Sequence, residues 1–301
     1  MLPAAAALAV CLLLVLLLPA RLSRAAWPLR DPGPALVAWQ AAGLAGGLLV
    51  LSLAATLALS ALGSTWGGGL RRLGSGLPPR AWLPAALGLA VLLRLSWVLA
   101  RSTVCTVLDR RRNRLLVDLV ADRNPLLRGI SVVDHDLPVA YCLPGLHPRL
   151  VLSRGTLSLL AYDELTAVLA HERAHLDQRH DLVVLPFVAL CATFPWLPQV
   201  DTARSQVALL VELLADDRAA RDHDRSALAR ALWKIGTGTG TGTGTAPSGA
   251  LGAAGDDILL RARRLLAEPR PLPASRRAAV LLLALLVAAT PLLGPLIPLL
   301  V

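Results

Sequence analysis

Long apolar runs are the feature that most constrains what this chain can fold into. Four stretches, at about 2–19, 35–62, 81–100 and 278–301, are almost free of charged residues. A helix of about 20 apolar residues is long enough to cross the hydrocarbon core of a bilayer. Charged residues make up only 17% of the chain, against about 25% in average soluble domains. This composition excludes a disordered chain, a coiled coil and an ordinary cytosolic enzyme, and it predicts a mainly α-helical, polytopic membrane protein.

The positions of the arginines predict how these helices are oriented. The net charge is +10, and Lys234 is the only lysine. Arginines follow the first run, cluster densely from Arg101 to Arg114 after the third, and precede the last. Because positive loops stay in the cytoplasm, we expect a multi-pass protein of the cell membrane with both termini outside. The first run has no positive residues before it, which favours a retained anchor over the alternative of a cleaved signal peptide.

The arginines also raise two other possibilities, namely nucleic-acid binding and a functional charge inside a membrane helix. The arginines flank apolar runs and are not interleaved with aromatic residues, which are only 4% of the chain, so direct nucleic-acid binding is not expected. Arg94 lies inside the third run, where a charged side chain is often functional. Near the end of a helix it can instead extend toward the headgroups, and this reading is preferred. A transporter or channel that used Arg94 would need polar residues along several runs, and the sequence has almost none.

The segment His171-Glu172-Arg173-Ala174-His175 carries the chemistry that the sequence predicts. Apolar residues at helical spacing in 163–170 indicate that it lies on a helix. Histidines four residues apart share one helix face and can bind a single metal ion. Glu172, next to the first histidine, is placed to act as a general base toward the attacking water.

A catalytic zinc site needs a third protein ligand and an open position. Glu212 is one of only two glutamates after Glu172, and it lies in a predicted amphipathic helix at 205–220. A carboxylate among leucines and valines is out of place unless it is paired or bound to a metal. Asp216, one turn later, could accept the second ring N–H of a zinc-binding histidine. We therefore predict one Zn²⁺ held by His171, His175 and Glu212, with Asp216 behind the ligands.

The apolar run at 182–198 tests this arrangement. It is nearly long enough to cross a bilayer, but a crossing would put Glu212 and His171 on opposite sides. Three prolines also interrupt it. We therefore predict a membrane-dipping hairpin at 182–198 inside a cytoplasmic metallopeptidase domain at 101–235. A Gly-Thr repeat then predicts a flexible linker and basic segment at 236–277.

Two short strands, at 138–143 and 149–153, predict a β-hairpin beside the metal helix. Such a hairpin would offer an edge strand that can hold a substrate peptide in extended form. Cys142 is read as a small core residue rather than a nucleophile or ligand. Four histidines are unassigned, since each could stabilise an oxyanion but is more often a surface residue: His135, His147, His180 and His223.

Four segments, at 140–145, 151–155, 163–175 and 212–216, resemble integral-membrane gluzincin zinc metallopeptidases. The resemblance is closest to the BlaR/MecR-type membrane peptidase family, and the related CaaX-prenyl-protease and heat-shock membrane protease family shares these motifs. It implies transmembrane helices joined to a gluzincin-like cytoplasmic zinc-protease domain with a small β-hairpin. The implied site has zinc on His171, His175 and Glu212, Glu172 as base and Asp216 in support.

The resemblance also implies partners. It implies a protein or peptide substrate, and by analogy a transcriptional repressor, with the lipid bilayer around the helices. BlaR/MecR sensors carry a C-terminal extracellular penicillin-binding domain, which does not follow the last run here, so β-lactam sensing by this polypeptide is not expected. The sequence thus predicts a zinc metalloendopeptidase at the cytoplasmic membrane face. The alternative is a non-catalytic membrane metal-binding sensor or scaffold, and Glu172 argues against it because a closed structural site needs no adjacent base.

Overall fold

The computed structural model describes six segments of the chain: 17–62, 79–122, 130–143, 148–238, 248–267 and 270–300. These residues divide into two compact units. The first unit takes its described residues from Met1–Ser102, Leu185–Val207 and Pro271–Val301. The second takes its described residues from Thr103–Val184 and Ala208–Arg270.

Helices dominate both units, as predicted. Residues 17–24 are helical. The helices that follow are α1 Trp27–Arg30, α2 Pro32–Leu62, α3 Pro79–Val120, α4 Arg154–Leu159, α5 Tyr162–Asp177, α6 His180–Thr193, α7 Pro198–Ala219, α8 Arg225–Gly238, α9 Ser248–Leu266 and α10 Ala274–Leu300. The strands are β1 Ala121–Asp122, β2 Ile130–Val133, β3 Ala140–Leu143 and β4 Arg149–Ser153.

Packing of α2 against α10 forms the centre of the first unit. Both helices are apolar along most of their length, so close contact buries side chains on each. The Ser52 hydroxyl donates a hydrogen bond of 3.0 Å to the Pro291 carbonyl. At the other end, the buried Asp31 carboxylate accepts the Leu272 N–H at 3.2 Å and pairs with the Arg277 guanidinium. These polar contacts fix the register of two otherwise featureless apolar surfaces.

One helix among the described residues is long and apolar enough to cross a membrane, at Ala274–Pro291 within α10. The helix α6 is a shorter apolar helix. The predicted runs at 35–62 and 81–100 lie within α2 and α3. Most of the predicted run at 2–19 lies outside the described residues. The multi-pass arrangement therefore stays a prediction.

Helix α3 differs from the prediction at its C-terminal end. The predicted span stops at residue 100, but α3 continues without a break to Val120. The physical reason is that residues 101–120 contain neither proline nor glycine, so nothing in the local sequence ends the helix where the apolar run ends. The apolar run ends at residue 100, whereas the helix ends at Val120.

A four-stranded sheet in the order β1-β2-β4-β3 lies in the second unit. The predicted hairpin is confirmed, since β3 pairs with β4 in antiparallel register, with Tyr141 opposite Val151. Strand β2 pairs in parallel with β4, and β1 adds a two-residue antiparallel partner. The sequence analysis missed β1 and β2, which are too short for a period-two pattern to stand out. The order leaves β3 as an edge strand of this sheet.

The predicted linker at 236–277 is wrong for residues 248–266, which form α9 and pack against α8. Helix α9 contributes Leu265 to the core of the second unit, where it meets Val168 of α5 and Leu228 of α8. Apolar side chains recur at helical spacing in residues 258–265. The neighbouring Gly-Thr repeat suggested a flexible segment, so this helical pattern was overlooked. Residues 239–247, which include most of that repeat, lie outside the described residues.

Candidate metal centre

Helix α5 presents the two predicted histidine ligands. Its first turn is held by Glu164, whose carboxylate accepts the Ala161 N–H at 3.0 Å. The same carboxylate pairs with Lys234 at 2.7 Å and Arg230 at 3.4 Å on α8. One helical turn separates His171 from His175, and their Nε2 atoms lie 3.1 Å apart. Both rings therefore turn the same nitrogen toward one point, as the spacing predicts.

Helix α7 brings Glu212 to that point. Its Oε2 lies 3.3 Å from His171 Nε2, and its Oε1 lies 3.6 Å from His175 Nε2. The candidate ligand atoms of the three residues all lie within 4.8 Å of one another. Two imidazole nitrogens and one carboxylate oxygen are donors that a divalent ion such as zinc accepts. The residues present thus fit a metal ion.

Asp216 lies behind the first histidine, where the sequence analysis placed it. Its Oδ1 is 2.9 Å from His171 Nδ1, and the carboxylate is fully buried. Burial alone would disfavour the charged carboxylate, but hydrogen bonds from Arg261 and His171 outweigh it and hold the pKa of Asp216 below its usual value. A charged Asp216 keeps the proton of His171 on Nδ1 and leaves Nε2 for the metal.

The same contacts set the protonation of the metal-free ligands. Burial works against a charged His171, yet hydrogen bonds to Asp216 and Glu212 raise its pKa to about 9. Burial likewise works against a charged Glu212, but hydrogen bonds to the two histidines and the charge of Arg261 keep its pKa below its usual value. Metal binding must therefore displace a proton from His171.

Arg261 of α9 belongs to the centre, and the sequence analysis missed it. Its Nε and Nη2 donate to the two oxygens of Asp216 at 2.8 Å each. Its Nη1 lies 2.9 Å from Glu212 Oε2. A signal was available, because Arg261 falls on the same helical face as Ile258 and Leu265. An arginine on an apolar face needs a buried acidic partner.

His180, at the start of α6, is one of the four histidines to which the sequence assigns no role. It is buried, and its Nδ1 lies 2.9 Å from His175 Nδ1. Its Nε2 lies 3.0 Å from Gln178 Oε1. Burial, followed by the charge of His175, lowers the pKa of His180 to about 4. Both of its nitrogens therefore have a partner within hydrogen-bond distance.

Glu172 lies in a cavity of about 320 Å³ beside the ligand atoms. Its side chain is half-buried, and burial raises the pKa of its carboxyl above the usual value. A carboxylate with a raised pKa is suited to proton transfer near neutral pH. The residues that line this cavity are Tyr141, Cys142, His171, Glu172, His175, His180, Asp181 and Glu212.

Cys142 differs from its prediction as a core residue. It is half-buried and lines the cavity, because edge strand β3 packs beside α5 and turns this side chain toward Glu172. Burial, followed by the negative charge of Glu172, raises the pKa of the thiol to about 12. A thiol that stays protonated is a poor nucleophile.

Of the remaining candidates, His135 and His223 do not line the cavity. His135 is exposed, and its Nδ1 accepts the Leu137 N–H in a local turn. His223 follows the end of α7, and His147 lies outside the described residues. Asp217, next to Asp216, forms a two-point ion pair with Arg264 at 2.7 and 2.8 Å.

Comparison with known proteins gives one match. Residues 109–215 match peptidase family M48, a range that contains His171, Glu172, His175 and Glu212. No curated protein and no solved structure matches the chain. Taken with the convergence of the three candidate ligand side chains, the match supports a metallopeptidase activity.

Proposed function

We propose that this chain is a membrane-embedded zinc metalloendopeptidase that hydrolyses peptide bonds of protein substrates at the cytoplasmic membrane face. One observation carries the proposal. His171, His175 and Glu212 converge within 4.8 Å beside a half-buried glutamate, inside a segment that matches a peptidase family. Fold alone would not support a function, but a set of side chains with these chemical roles does.

Zinc is the metal that this donor set favours. Nitrogen from two histidines and oxygen from one carboxylate, on a scaffold with an open cavity, is typical of catalytic zinc sites. When bound, such an ion lowers the pKa of water to about 7 and polarises the scissile carbonyl. We propose one Zn²⁺ per chain.

Glu172 is the group that moves protons. Its carboxylate takes a proton from the attacking water and then delivers it to the nitrogen of the leaving amine. Burial supports both steps, because the raised pKa makes the carboxyl a stronger base in the first step and keeps the proton available for the second. Cys142 and the two histidines surround this carboxyl.

The substrate binds as an extended peptide along β3. This strand is an edge of the described sheet, and Tyr141 and Cys142 on it line the cavity. A peptide that adds to such an edge makes main-chain hydrogen bonds that do not depend on its sequence. This mode of binding suits an endopeptidase, since it engages residues on both sides of the bond to be cut.

The membrane arrangement rests on hydropathy and charge. We propose four membrane-spanning helices, at about 2–19, 35–62, 81–100 and 278–301, with a hairpin at 182–198 that dips into the bilayer. The arginines between 101 and 114 favour a metal centre on the cytoplasmic side, with both termini outside. The apolar helix within α10 and the shorter apolar α6 support this arrangement.

Regulatory cleavage of a transcriptional repressor is the biological role that the resemblance to BlaR/MecR-type peptidases favours. The substrate would be a regulator that binds nucleic acid, and the peptidase itself would not bind nucleic acid. The metal-binding sensor or scaffold, which has no activity, is the competing outcome of the experiment below.

The test uses the full chain purified in detergent micelles and loaded with Zn²⁺. The protein is incubated with a mixture of unstructured proteins, and new peptide termini are identified by mass spectrometry. We expect internal cleavage by the wild-type chain and a loss of about 10²–10⁴-fold in Glu172→Gln, which removes the base. Both proteins should bind one equivalent of zinc. Equal cleavage by the two would overturn the mechanism, and zinc binding without cleavage by wild type would favour the sensor.

A further inference from the structure

The buried ring of His180 joins two side chains through its two nitrogens. Nδ1 lies 2.9 Å from Nδ1 of His175, and Nε2 lies 3.0 Å from Oε1 of Gln178. We propose that His180 is a positioning residue that fixes the tautomer and ring orientation of His175 for metal binding. This inference rests on the proposed metal centre.

The protons in this chain of contacts can be placed by elimination. His175 can bind a metal through Nε2 only if the proton of its ring is on Nδ1. Two ring nitrogens 2.9 Å apart share one proton, so His180 Nδ1 accepts it. The proton of His180 is then on Nε2, where it donates to the amide oxygen of Gln178. Each contact in the series has one donor and one acceptor.

The backbone between the two histidines makes their contact possible. Residues five apart on a continuous α-helix point about 140° away from each other. Helix α5 ends at Asp177, and Arg179 adopts a left-handed conformation with φ of 47°. The Leu182 N–H then donates to the Arg179 carbonyl at 2.9 Å as α6 begins. The chain changes direction at this turn, and the ring of His180 therefore contacts the ring of His175.

The left-handed backbone conformation of Arg179 also supports a functional role for this turn. A residue other than glycine is strained in this region, and such residues concentrate at sites where geometry is imposed. Here the unfavourable backbone places Gln178 and His180 on either side of the turn. The two metal-binding histidines are thus held by different partners, a charged carboxylate for His171 and a neutral imidazole for His175.

Two amide substitutions separate positioning from packing. In His180→Asn, Oδ1 occupies the place of the histidine Nδ1 and can accept the same proton. In His180→Gln, the amide oxygen reaches the place of Nε2 and leaves the His175 proton without an acceptor. Each variant is purified as the full chain, stripped of metal and titrated with Zn²⁺ in competition with a chromogenic chelator. His223→Gln, a histidine outside the cavity, is the matched control.

We expect His180→Gln to bind Zn²⁺ about 10–100-fold more weakly than wild type, the range for lost hydrogen bonds to metal ligands. His180→Asn and His223→Gln should stay within about threefold of wild type. Wild-type affinity in His180→Gln, or an equal loss in His180→Asn, would overturn the inference while leaving the peptidase intact. A wild-type chain that binds no Zn²⁺ would overturn the proposed function and this inference with it.

Discussion

Arg261 donates from Nε and Nη2 to the two carboxylate oxygens of Asp216, at 2.8 Å each, and both side chains are buried. Asp216 in turn lies 2.9 Å from Nδ1 of His171. The pair links α9 to the candidate metal ligand His171 on α5. Residues beyond the Gly-Thr repeat therefore belong to the metal centre.

Replacing Arg261 should weaken both the fold and the metal site. Arg261→Gln leaves the buried Asp216 without its cation, which typically costs about 3–5 kcal/mol. It also frees Asp216 and Glu212 to move, so we expect zinc affinity to fall about 10–100-fold. Thermal denaturation and chelator competition measure the two effects. Arg263→Gln, an exposed arginine on the same helix, should change neither, and equal behaviour of the two variants would contradict the assignment.

The buried Glu164 should make stability depend on pH. Its pairs with Lys234 and Arg230 and the Ala161 N–H outweigh burial and hold its pKa below the usual value. A depressed pKa in the folded state gives stability that is complete at neutral pH and is lost as the pH falls through the usual glutamate range and below it. Glu164→Gln should therefore reduce the free energy of unfolding by about 2 kcal/mol at pH 7. The difference from wild type should shrink toward pH 3.

The measurement for Glu164 is thermal unfolding between pH 3 and pH 8. Asp163→Asn is the matched control, since Asp163 is an exposed neighbour that pairs only at the surface with Arg230. If the stability difference between wild type and Glu164→Gln grew as the pH fell, the pKa of Glu164 would not be lowered in the folded state, and the prediction would be wrong.

Gly155, at the start of α4, should tolerate no side chain. A Cβ at this position would lie 1.9 Å from the carbonyl oxygen of Asp136, and the Gly155 N–H already donates to the His135 carbonyl at 3.0 Å. Gly155→Ala must shift backbone atoms, so we expect a loss of about 1–3 kcal/mol in unfolding free energy. Gly255→Ala on α9 meets nothing within 4 Å and should stabilise its helix by up to about 1 kcal/mol. Denaturation midpoints that rise in both variants would refute the close contact.

Cys142 should resist alkylation although it lines a cavity. Its thiol pKa of about 12 leaves almost no thiolate at pH 8, and the thiolate is the reactive form. Cys105 is an exposed cysteine in the same chain and serves as an internal control. We expect iodoacetamide to modify Cys105 at least about 100-fold faster than Cys142, as followed by peptide mass spectrometry. Similar rates would show that the environment of Cys142 is not as described.

Local patterns in the sequence predicted several features of the structure. The hairpin of β3 and β4 is confirmed, because two short strands close together in the chain pair locally. Helix α5 was predicted from acidic residues in its first turn and apolar residues at helical spacing. The four-residue spacing of His171 and His175 needs only helix geometry to bring them together.

Errors arose where a local signal was weak or misleading. The apolar run ends at residue 100, but helix formation depends on the helix propensity of the residues and not on their hydrophobicity. Helix α3 therefore continues beyond the apolar run. The Gly-Thr repeat suggested a flexible segment and obscured the apolar face of α9. Cys142 was predicted to be a core residue, but β3 packs beside α5 and the thiol lines the cavity, a long-range contact that the local sequence does not report.

The sequence by itself determined the elements that depend on neighbours in the chain, namely the apolar helices, the hairpin and the paired histidines of α5. Only the tertiary structure decided what surrounds them. Glu212 was expected near the histidines because a carboxylate among apolar residues needs a partner, and its distances come from the packing of α7. Arg261 and His180 entered the site through a long-range helix contact and a left-handed turn. Sequence periodicity reports one helix face at a time, and it does not report which faces meet.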